Sequence, residues 1–509
     1  MGVPPAAPAP ARRRAAALLL LALFAASARG IKIGPRPAAP PGVIVKYKHG
    51  RGAQPTIAGA RPGGAAPSQA LDPALNLYRV QAPAGQTAAQ AAAALARSSE
   101  VEYAFVDAYI HIAGGVPPDG QHSSSHSGSS AEGLTDAVEH LGRRLAAVRR
   151  PPPPPPIRRA ASAPSPRPPP PTPVRRAAVS PSPPPPRPPP PAPVPAFVPN
   201  DPWLKEQWAL NALRAPQAWA LAKPDSTSVI TCVVDTGVKW DHPDLAANLI
   251  IATPEFKAAH TDDNGHGTHV AGIIGAVGNN GRGVAGASPR ARILPCKALD
   301  ANGWGLISSV IECISLCRSR GAKVINTSFV MGDLNVPLKD AVGNATQAGI
   351  FFSAAAGNAG DDTDVYPYYP GSFEFPGVVA VANVAEGDLL AYSSNFGAKS
   401  VDLAAPGSDI LSTWIAPDFK GAPYSKLTGT SMAAPYVSGA AALAIATSGG
   451  TLTNAQVAKY LAASSRPVAA LRGRVASGGI VNLEQLINLA LAAKARADAA
   501  KKAAAAKPA

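Results

Sequence analysis

The stretch "VITCVVDTG", from Val229 to Gly237, is an almost continuous apolar run that ends in a carboxylate and a glycine. Apolar residues at every position, rather than at alternate positions, are typical of a strand that is buried on both faces. Further short apolar runs follow along the chain, separated by stretches with helical patterning: "ARILPCKAL", "AKVINTSFV", "GIFFSAAAG", "GVVAVANV" and "VDLAAPG". This alternation predicts an α/β fold in which helices cover both faces of a mainly parallel sheet.

Length and charge limit the functions that the chain can have. Its 509 residues exceed one ordinary domain. Almost all of the net charge of +15 belongs to the N-terminal part, because the residues from Asn200 onward carry 25 basic and 24 acidic side chains. This nearly neutral part has no basic stripe interleaved with aromatic residues, which argues against nucleic acid as a partner.

The N-terminus has the pattern of a secretory signal peptide. Arg12, Arg13 and Arg14 precede an apolar run, and Ala26-Ser27-Ala28 has the small-x-small form of a cleavage site. We therefore predict a signal peptide over residues 1–28 and a secreted, extracellular protein. The alternative is an organelle transit peptide and a location in an organelle lumen, because the leader is rich in Ala and Arg and lacks acidic residues.

Three further segments differ in composition from the large domain. Residues 42–112 predict a small α+β domain, with a helix that begins after Thr87 and a last strand over "VEYAFVDAYIHI". Residues 113–199 are rich first in Ser and His and then in Pro, which predicts a disordered linker that favours polyproline II. This linker is either a spacer or a segment that contacts the cell wall or extracellular matrix. Residues 488–509 form an Ala/Lys-rich tail, predicted as a frayed helix or disordered.

Polar residues interrupt the apolar pattern at a few positions where chemistry is expected. Asp235 ends the first apolar run, and functional side chains of parallel sheets collect at the carboxyl ends of strands. His266 lies between glycines in "DDNGHGTHVAGIIGAVG", and Ser431 stands among small residues in "LTGTSMAAPYVSGAAAL". A serine hydroxyl becomes a nucleophile when a histidine accepts its proton and a carboxylate orients that histidine. Asn358 in "SAAAGNAG" follows another strand and could donate to an oxyanion.

Two other groups of residues carry weaker signals. His266 and His269 are spaced like metal ligands, but no third ligand fits a zinc pattern, so one histidine is expected to be catalytic and the other to support it. Cys313 and Cys317 are too close along a predicted helix for a relaxed disulfide with each other. Cys232 and Cys296 lie in strand-like runs, where a free thiol is often a small core residue.

The motifs "VVDTGV", "HGTHVAG" and "GTSMAAPYVSG", in this order, resemble those of the subtilisin-like serine proteases, and "AAAGN" resembles their oxyanion motif. The resemblance covers about residues 200–487. It implies a subtilisin-like, doubly wound, mainly parallel sheet of seven strands and serine endopeptidase activity on polypeptides. It also implies that Asp235 orients His266, that Ser431 forms the acyl-enzyme, and that Asn358 and the Ser431 N–H bind the oxyanion.

The same resemblance implies where substrate binds. The segment Ser328, Phe329 and Val330 corresponds to the family's substrate-pairing strand, although the family usually has Ser-Leu-Gly-Gly there. The family's glycine at the base of the first specificity pocket is replaced here, near Tyr368. No catalytic cofactor is implied, whereas a structural calcium ion is, with ligands from the set Asp244, Asn280 and Asp201.

Residues 42–112 resemble the inhibitor propeptide of the family, which assists folding and blocks the cleft of the precursor. About 87 residues separate this segment from the large domain, so the mature chain begins near either Ile112 or Asn200. We expect a monomeric, self-inhibited precursor. Two other interpretations remain open: a noncatalytic wall-associated protein with a decayed protease domain, and an exopeptidase or peptide ligase with the same fold.

Overall fold

The computed structural model describes residues 42–48, 68–83, 85–98, 100–112, 196–222, 226–250 and 252–505. The predicted signal peptide and the prolines of the predicted linker up to residue 195 lie outside these ranges. Within them, no helix combines the length and apolar character that crossing a membrane requires.

Strands and helices alternate through most of the large domain, as the apolar pattern predicts. The strands are β1 (Gly42–Tyr47), β2 (Ser68–Asp72), β3 (Leu77–Gln81), β4 (Val101–Val106), β5 (Tyr109–Ile112), β6 (Ile230–Asp235), β7 (Arg292–Lys297), β8 (Trp304–Leu306), β9 (Val324–Thr327), β10 (Phe329–Val330), β11 (Phe351–Ala355), β12 (Val378–Ala385), β13 (Leu389–Leu390), β14 (Leu403–Pro406), β15 (Ile410–Thr413), β16 (Tyr424–Leu427), β17 (Arg466–Pro467) and β18 (Gly479–Ile480). The helices are α1 (Ala88–Leu95), α2 (Trp208–Ala212), α3 (Ala215–Ala222), α4 (Pro254–Ala259), α5 (His266–Gly275), α6 (Ile307–Ser319), α7 (Val336–Gln347), α8 (Thr430–Thr447), α9 (Asn454–Ser464) and α10 (Leu483–Ala505).

The central sheet confirms the predicted fold. Its order is β17-β18-β14-β12-β11-β9-β6-β7, with β13 paired to β12. The seven strands from β18 to β7 run parallel, and only the short β17 and β13 are antiparallel to their neighbours. Strand β6 lies between β9 and β7, so its carboxyl end has a neighbouring strand on each side.

Helix α8 is buried over almost its whole length. All of its residues from Thr430 to Ile445 are buried. Its small side chains allow close approach: a Cβ added at Gly439 would lie 2.8 Å from the Cβ of Ala287 and 2.9 Å from the Ile274 carbonyl oxygen. The small-residue composition of this helix therefore allows it to pack closely against α5 and the sheet.

The N-terminal domain is a four-stranded antiparallel sheet, ordered β2-β3-β1-β4, with α1 on one face. Alternation along β1 explains its two faces. Val43 and Val45 pack with α1, whereas Ile44 belongs to the core of the large domain. Thr87 caps α1 in a capping box with Gln90, as the sequence predicts.

The segment predicted as one strand over "VEYAFVDAYIHI" is two strands. The chain leaves the sheet at Asp107, whose carboxylate accepts hydrogen bonds from the backbone N–H and the hydroxyl of Ser308 at the start of α6. The prediction of one continuous strand is therefore wrong, because the carboxylate binds a helix terminus of the other domain.

Two disulfides join α6 to the sheet, a pairing that the sequence patterns leave open. Cys232 of β6 is bonded to Cys317, and Cys296 of β7 is bonded to Cys313. The two cysteines of α6 are four residues apart, so both side chains face the sheet and each meets a different strand. The expectation that they do not pair with each other is confirmed.

Helix α10 extends beyond the predicted end of the large domain. The expected boundary at residue 488 lies inside this helix, where Ile487 and Ala490 are buried. Alanine is the strongest helix former, so the helix continues to Ala505 after its buried contacts end.

The two disulfides should contribute unequally to stability, because they close loops of different length. Their sequence separations are 85 residues for Cys232–Cys317 and 17 for Cys296–Cys313. Replacing both cysteines of a pair with alanine should lower the free energy of unfolding by about 4–5 kcal/mol for the first pair and by about 3 kcal/mol for the second. Denaturant-induced unfolding measures both values, and a larger loss for the shorter loop would contradict this expectation.

Candidate active site

A buried hydrogen bond joins the end of β6 to the start of α5. Nδ1 of His266 donates to Oδ1 of Asp235 at 2.7 Å, and both side chains are fully buried. The same carboxylate oxygen accepts the backbone N–H of Thr236 at 2.7 Å. This arrangement keeps the proton of the neutral imidazole on Nδ1 and leaves Nε2 able to accept one.

Two glycines allow α5 to begin against the turn that follows β6. Gly265 has φ +110°, and a Cβ there would lie 2.5 Å from the Trp414 ring. A Cβ on Gly267 would lie 2.2 Å from the carbonyl oxygen of Gly237. Side chains at these two positions would push the helix start, and with it His266, away from the carboxylate.

Asp262 organises this helix start, although sequence analysis did not single it out. Its Oδ1 accepts the Thr236 hydroxyl at 2.8 Å and the N–H groups of Asn264 and Gly265 at 3.0 and 2.9 Å. Its Oδ2 accepts the N–H and hydroxyl of Thr268. Burial raises the pKa of Asp262, and these hydrogen bonds oppose that rise. Its position in the glycine-flanked histidine motif was the available signal.

Ser431 and Ser328 are joined by reciprocal hydrogen bonds. The Ser431 hydroxyl donates to the Ser328 carbonyl oxygen at 3.1 Å, and the Ser328 hydroxyl donates to the Ser431 carbonyl oxygen at 3.1 Å. Ser431 is the second residue of α8 and is fully buried. The start of α8 is thereby attached to the junction between β9 and β10.

Asn358 is attached to the same helix start. Its Oδ1 accepts the backbone N–H of Thr430 at 2.8 Å. This contact fixes the amide group and leaves its Nδ2 as a donor close to the beginning of α8. The structure thus brings Asn358 and Ser431 to one place, as the sequence predicts for this pair.

Four buried side-chain nitrogen atoms have no hydrogen-bond partner among the described residues, and two of them belong to the candidate site: Nε2 of His266 and Nδ2 of Asn358. A buried polar group without a partner costs about 1–3 kcal/mol. Nε2 of His266 can accept a proton, so it suits a group that gives one up. Nδ2 of Asn358 can donate a hydrogen bond, so it suits a group that gains negative charge.

His269 has a different environment. Its Nε2 lies 3.0 Å from the carbonyl oxygens of both Ile410 and Ser425, which connects α5 to β15 and β16. Burial lowers the pKa of His269 to about 3, so the ring is neutral at ordinary pH. No cluster of three or more His, Cys, Asp or Glu that could hold a metal ion is found in the described part of the chain.

Strand β5 lies antiparallel between β10 and β8. Ile112 pairs with Phe329 and His111 with Val330, while the Ile112 N–H donates to the Gly303 carbonyl oxygen at 3.0 Å. A Cβ on Gly303 would lie 2.8 Å from Cδ1 of Ile112. The predicted substrate-pairing residues therefore hold an extended segment of the chain itself, next to Ser328.

Polar contacts attach the N-terminal domain to α6 and α7. Asp107 accepts from the start of α6 and also pairs with Arg79 at 2.9 Å. Further pairs between the domains are Arg318 with Asp72 at 2.8 Å, and Lys46 and Tyr103 with Asp340, each at 2.8 Å. The sheet of the N-terminal domain is thus bonded to two helices of the large domain.

The three residues proposed from sequence as calcium ligands lie together. Oδ1 of Asp244 accepts from Nδ2 of Asn280 at 2.6 Å, and its Oδ2 accepts the Val284 N–H at 2.9 Å. Asp201 accepts the N–H groups of Asn279 and Asn280. Burial raises the pKa of Asp244 to about 6, and the neighbouring charge of Asp201 contributes to this rise.

Comparison with known proteins agrees with this geometry. Residues 226–485 match the model of the subtilase family, and residues 39–107 match the fervidolysin N-terminal prodomain. Thermitase of Thermoactinomyces vulgaris is 38% identical over 265 residues, which cover 52% of this chain and 90% of thermitase. The thermophilic serine proteinase of Bacillus sp. (strain AK1) is 40% identical over 251 residues, covering 49% of this chain and 60% of that protein.

Solved structures show the same relationship. A protease from Pseudoalteromonas arctica matches with a TM-score of 0.51 and 30% identity. The match covers 57% of this chain and 99% of the chain of that protease. The chain therefore belongs to the subtilase family and is a serine-type endopeptidase with an N-terminal prodomain.

Proposed function

We propose that this subtilase hydrolyses peptide bonds with an Asp235–His266–Ser431 triad through an acyl-enzyme. The observation that carries the proposal is the buried 2.7 Å bond between Asp235 and His266, combined with an Nε2 that has no partner in the described structure. This pair has the geometry of a base whose tautomer is held by a carboxylate.

The proposed reaction begins with a rotation of the Ser431 side chain from the Ser328 carbonyl to His266. Nε2 of His266 then accepts the hydroxyl proton as the oxygen attacks the substrate carbonyl carbon. The imidazolium that forms is stabilised by Asp235. The same proton then passes from Nε2 to the leaving amine, and water releases the acyl group by the reverse sequence of proton transfers.

Negative charge develops on the carbonyl oxygen during both halves of the reaction. We assign its stabilisation to Nδ2 of Asn358 and the backbone N–H of Ser431. The amide of Asn358 is already fixed through its Oδ1 to Thr430, so little reorganisation is needed when charge develops. The N-terminal end of α8 adds a favourable dipole.

Asn358→Leu should lower kcat of the processed enzyme by about 10²–10³-fold with little change in KM, because the donor acts mainly in the transition state. Steady-state kinetics on a fluorogenic peptide measure both constants, and a thermal melt checks the fold. Ser431→Ala, after removal of its prodomain by the unmodified enzyme, is the matched reference for loss of the nucleophile. A kcat reduced less than about tenfold would contradict the role of Asn358.

We propose further that residues 42–112 keep the precursor inactive. Strand β5 has backbone pairs on both sides, and Ile110 and Ile112 are fully buried. A polypeptide substrate would need the same edges of β8 and β10, so it cannot bind until β5 leaves. The polar contacts to α6 and α7 support the prodomain in this position.

Self-processing should produce a mature N-terminus at Gly114 or Gly115, directly after the strand that lies in the cleft. This follows because β5 ends beside Ser328, which is hydrogen-bonded to Ser431. N-terminal sequencing of the processed protein tests it, and Ser431→Ala should leave an unprocessed precursor. A mature start near Asn200 from the outset, or full processing of Ser431→Ala, would contradict self-cleavage after β5.

The cellular setting is proposed on separate grounds. Disulfides persist in oxidising compartments, so the two bonds of α6 support secretion through the predicted signal peptide over residues 1–28. We propose that residues 113–199 act as a linker, with wall or matrix contact as one role. Residues 200–487 form the peptidase domain, and the tail begins at residue 488. We also propose that the protein is monomeric.

We propose a structural calcium ion at Asp201, Asp244 and Asn280. Both carboxylates are buried, and no Lys or Arg within the described ranges forms an ion pair with either. Carboxylate and amide oxygens are the ligands that calcium prefers. The Asn280 amide, which now donates to Asp244, would turn to offer its oxygen to the ion.

Calcium should raise the Tm of the protein, by an amount equivalent to about 2.7 kcal/mol at a concentration 100 times its Kd. Asp244→Asn should remove this response. Asp388→Asn, at a surface carboxylate paired with Arg466, should keep it. Thermal melts with calcium, with magnesium and with chelator make the comparison, and an unchanged calcium response in Asp244→Asn would contradict the site.

A further inference from the structure

We propose that Tyr368 closes the pocket for the substrate residue before the cleaved bond, so that this protease cleaves after small residues such as alanine. The inference rests on the proposed function, because it assumes that the attacked carbonyl lies between Ser431 and Asn358. It extends that function by naming a residue that determines substrate class.

The backbone places Tyr368 between the two walls of the cleft. Its neighbour Tyr369 exchanges two backbone hydrogen bonds with Met331, at 3.0 and 2.8 Å, and Met331 directly follows β10. On the other side, a Cβ added at Gly357 would lie 3.3 Å from Cδ1 of the Tyr368 ring. Gly357 directly precedes Asn358, so the ring lies beside the oxyanion donor, while the backbone of the next residue is bonded to the segment that follows β10.

Hydrogen bonds hold the side chain in this place. The Tyr368 hydroxyl donates to Oδ2 of Asp361 at 2.7 Å, and the Tyr368 N–H donates to the Ser372 hydroxyl oxygen at 3.1 Å. The Asp361 N–H in turn donates to Oδ1 of Asn395 at 3.0 Å. Movement of the half-buried ring out of the cleft would break the bond to a charged acceptor, which is stronger than a bond between neutral groups.

The geometry of the reaction fixes where the substrate side chain must go. The Cα of the attacked residue is one bond away from the carbonyl carbon, so its side chain lies within a few ångströms of Asn358 and Ser328. The Tyr368 ring, which lies against Gly357, takes part of the space beside Asn358. A methyl group fits beside the ring, whereas an aromatic side chain must displace it, and overpacking of this kind is destabilising.

A basic side chain is also disfavoured, although an aspartate lies nearby. Oδ2 of Asp361 already accepts the Tyr368 hydroxyl, and the tyrosine ring separates this carboxylate from Gly357. A lysine would therefore meet a ring rather than an unoccupied carboxylate. The chain's own sequence agrees, because Ile112 is followed by Ala113, Gly114 and Gly115, which are all small.

Three peptides test the pocket directly on the processed protein. They share the frame Tyr-Ile-His-Ile-X-Gly-Gly, copied from β5 and the residues after it, with Ala, Phe or Lys at X. We expect kcat/KM for Ala to exceed that for Phe and for Lys by about 10–200-fold, the range over which apolar pockets discriminate by size. Equal or faster cleavage of the Phe or Lys peptide overturns the inference and leaves the proposed function intact. No cleavage of any of the three overturns the proposed function itself.

Substitutions then assign the effect to one side chain. Tyr368→Gly should raise kcat/KM for the Phe peptide and reduce the Ala-to-Phe ratio at least tenfold. Tyr368→Phe keeps the ring and should keep the preference. Tyr366→Gly is the matched control, because Tyr366 is on the same loop but is 65% exposed, and it should also keep the preference. An unchanged Ala-to-Phe ratio in Tyr368→Gly, or the same loss of preference in Tyr366→Gly, would contradict the assignment to Tyr368. The peptide preference of the unmodified protein tests the pocket even if the glycine variant does not fold.

Discussion

The hydrogen bond between Asp235 and His266 is the contact on which the rest of the proposed active site depends. It is buried, and it exists only if the end of β6 and the start of α5 meet within 2.7 Å. The parallel sheet supplies the first position, and Gly267 permits the second by letting the helix lie against the Gly237 carbonyl. Asp262 then holds the turn with hydrogen bonds to both segments. The polar site is thus a consequence of close backbone packing.

Helix α6 connects stability with inhibition. Its two disulfides attach it to β6 and β7, and its N-terminus receives the Asp107 carboxylate of the prodomain. The strand that follows Asp107 is β5, which occupies the cleft beside Ser328. A helix that is fixed to the central sheet can therefore position the strand that we propose as inhibitory. In the precursor, the edges that would bind a substrate hold a part of the same chain.

Local patterns predicted much of this fold, and the reasons for the failures are physical. Continuous apolar runs predicted the parallel sheet, and the resemblance of the motifs predicted its seven parallel strands. Both signals lie in short stretches of consecutive residues. The pairing of Cys232 with Cys317 was missed because it joins residues 85 apart in sequence. The separate strand β5 was missed because its partners β8 and β10 lie in distant segments. The role of Asp262 depends in part on Thr236, which also belongs to another segment. The continuation of α10 could have been predicted from its alanines.

Reaction with a fluorophosphonate tests the central claim most directly, because only a serine activated by a neighbouring base attacks such a probe rapidly. The account predicts that the processed protein is labelled at Ser431 alone, as located by peptide mass spectrometry. It also predicts that His266→Ala, after its prodomain has been removed by the unmodified enzyme, is not labelled, whereas Tyr366→Gly is. Absence of labelling in the processed protein, labelling at another serine, or full labelling of His266→Ala would contradict the account.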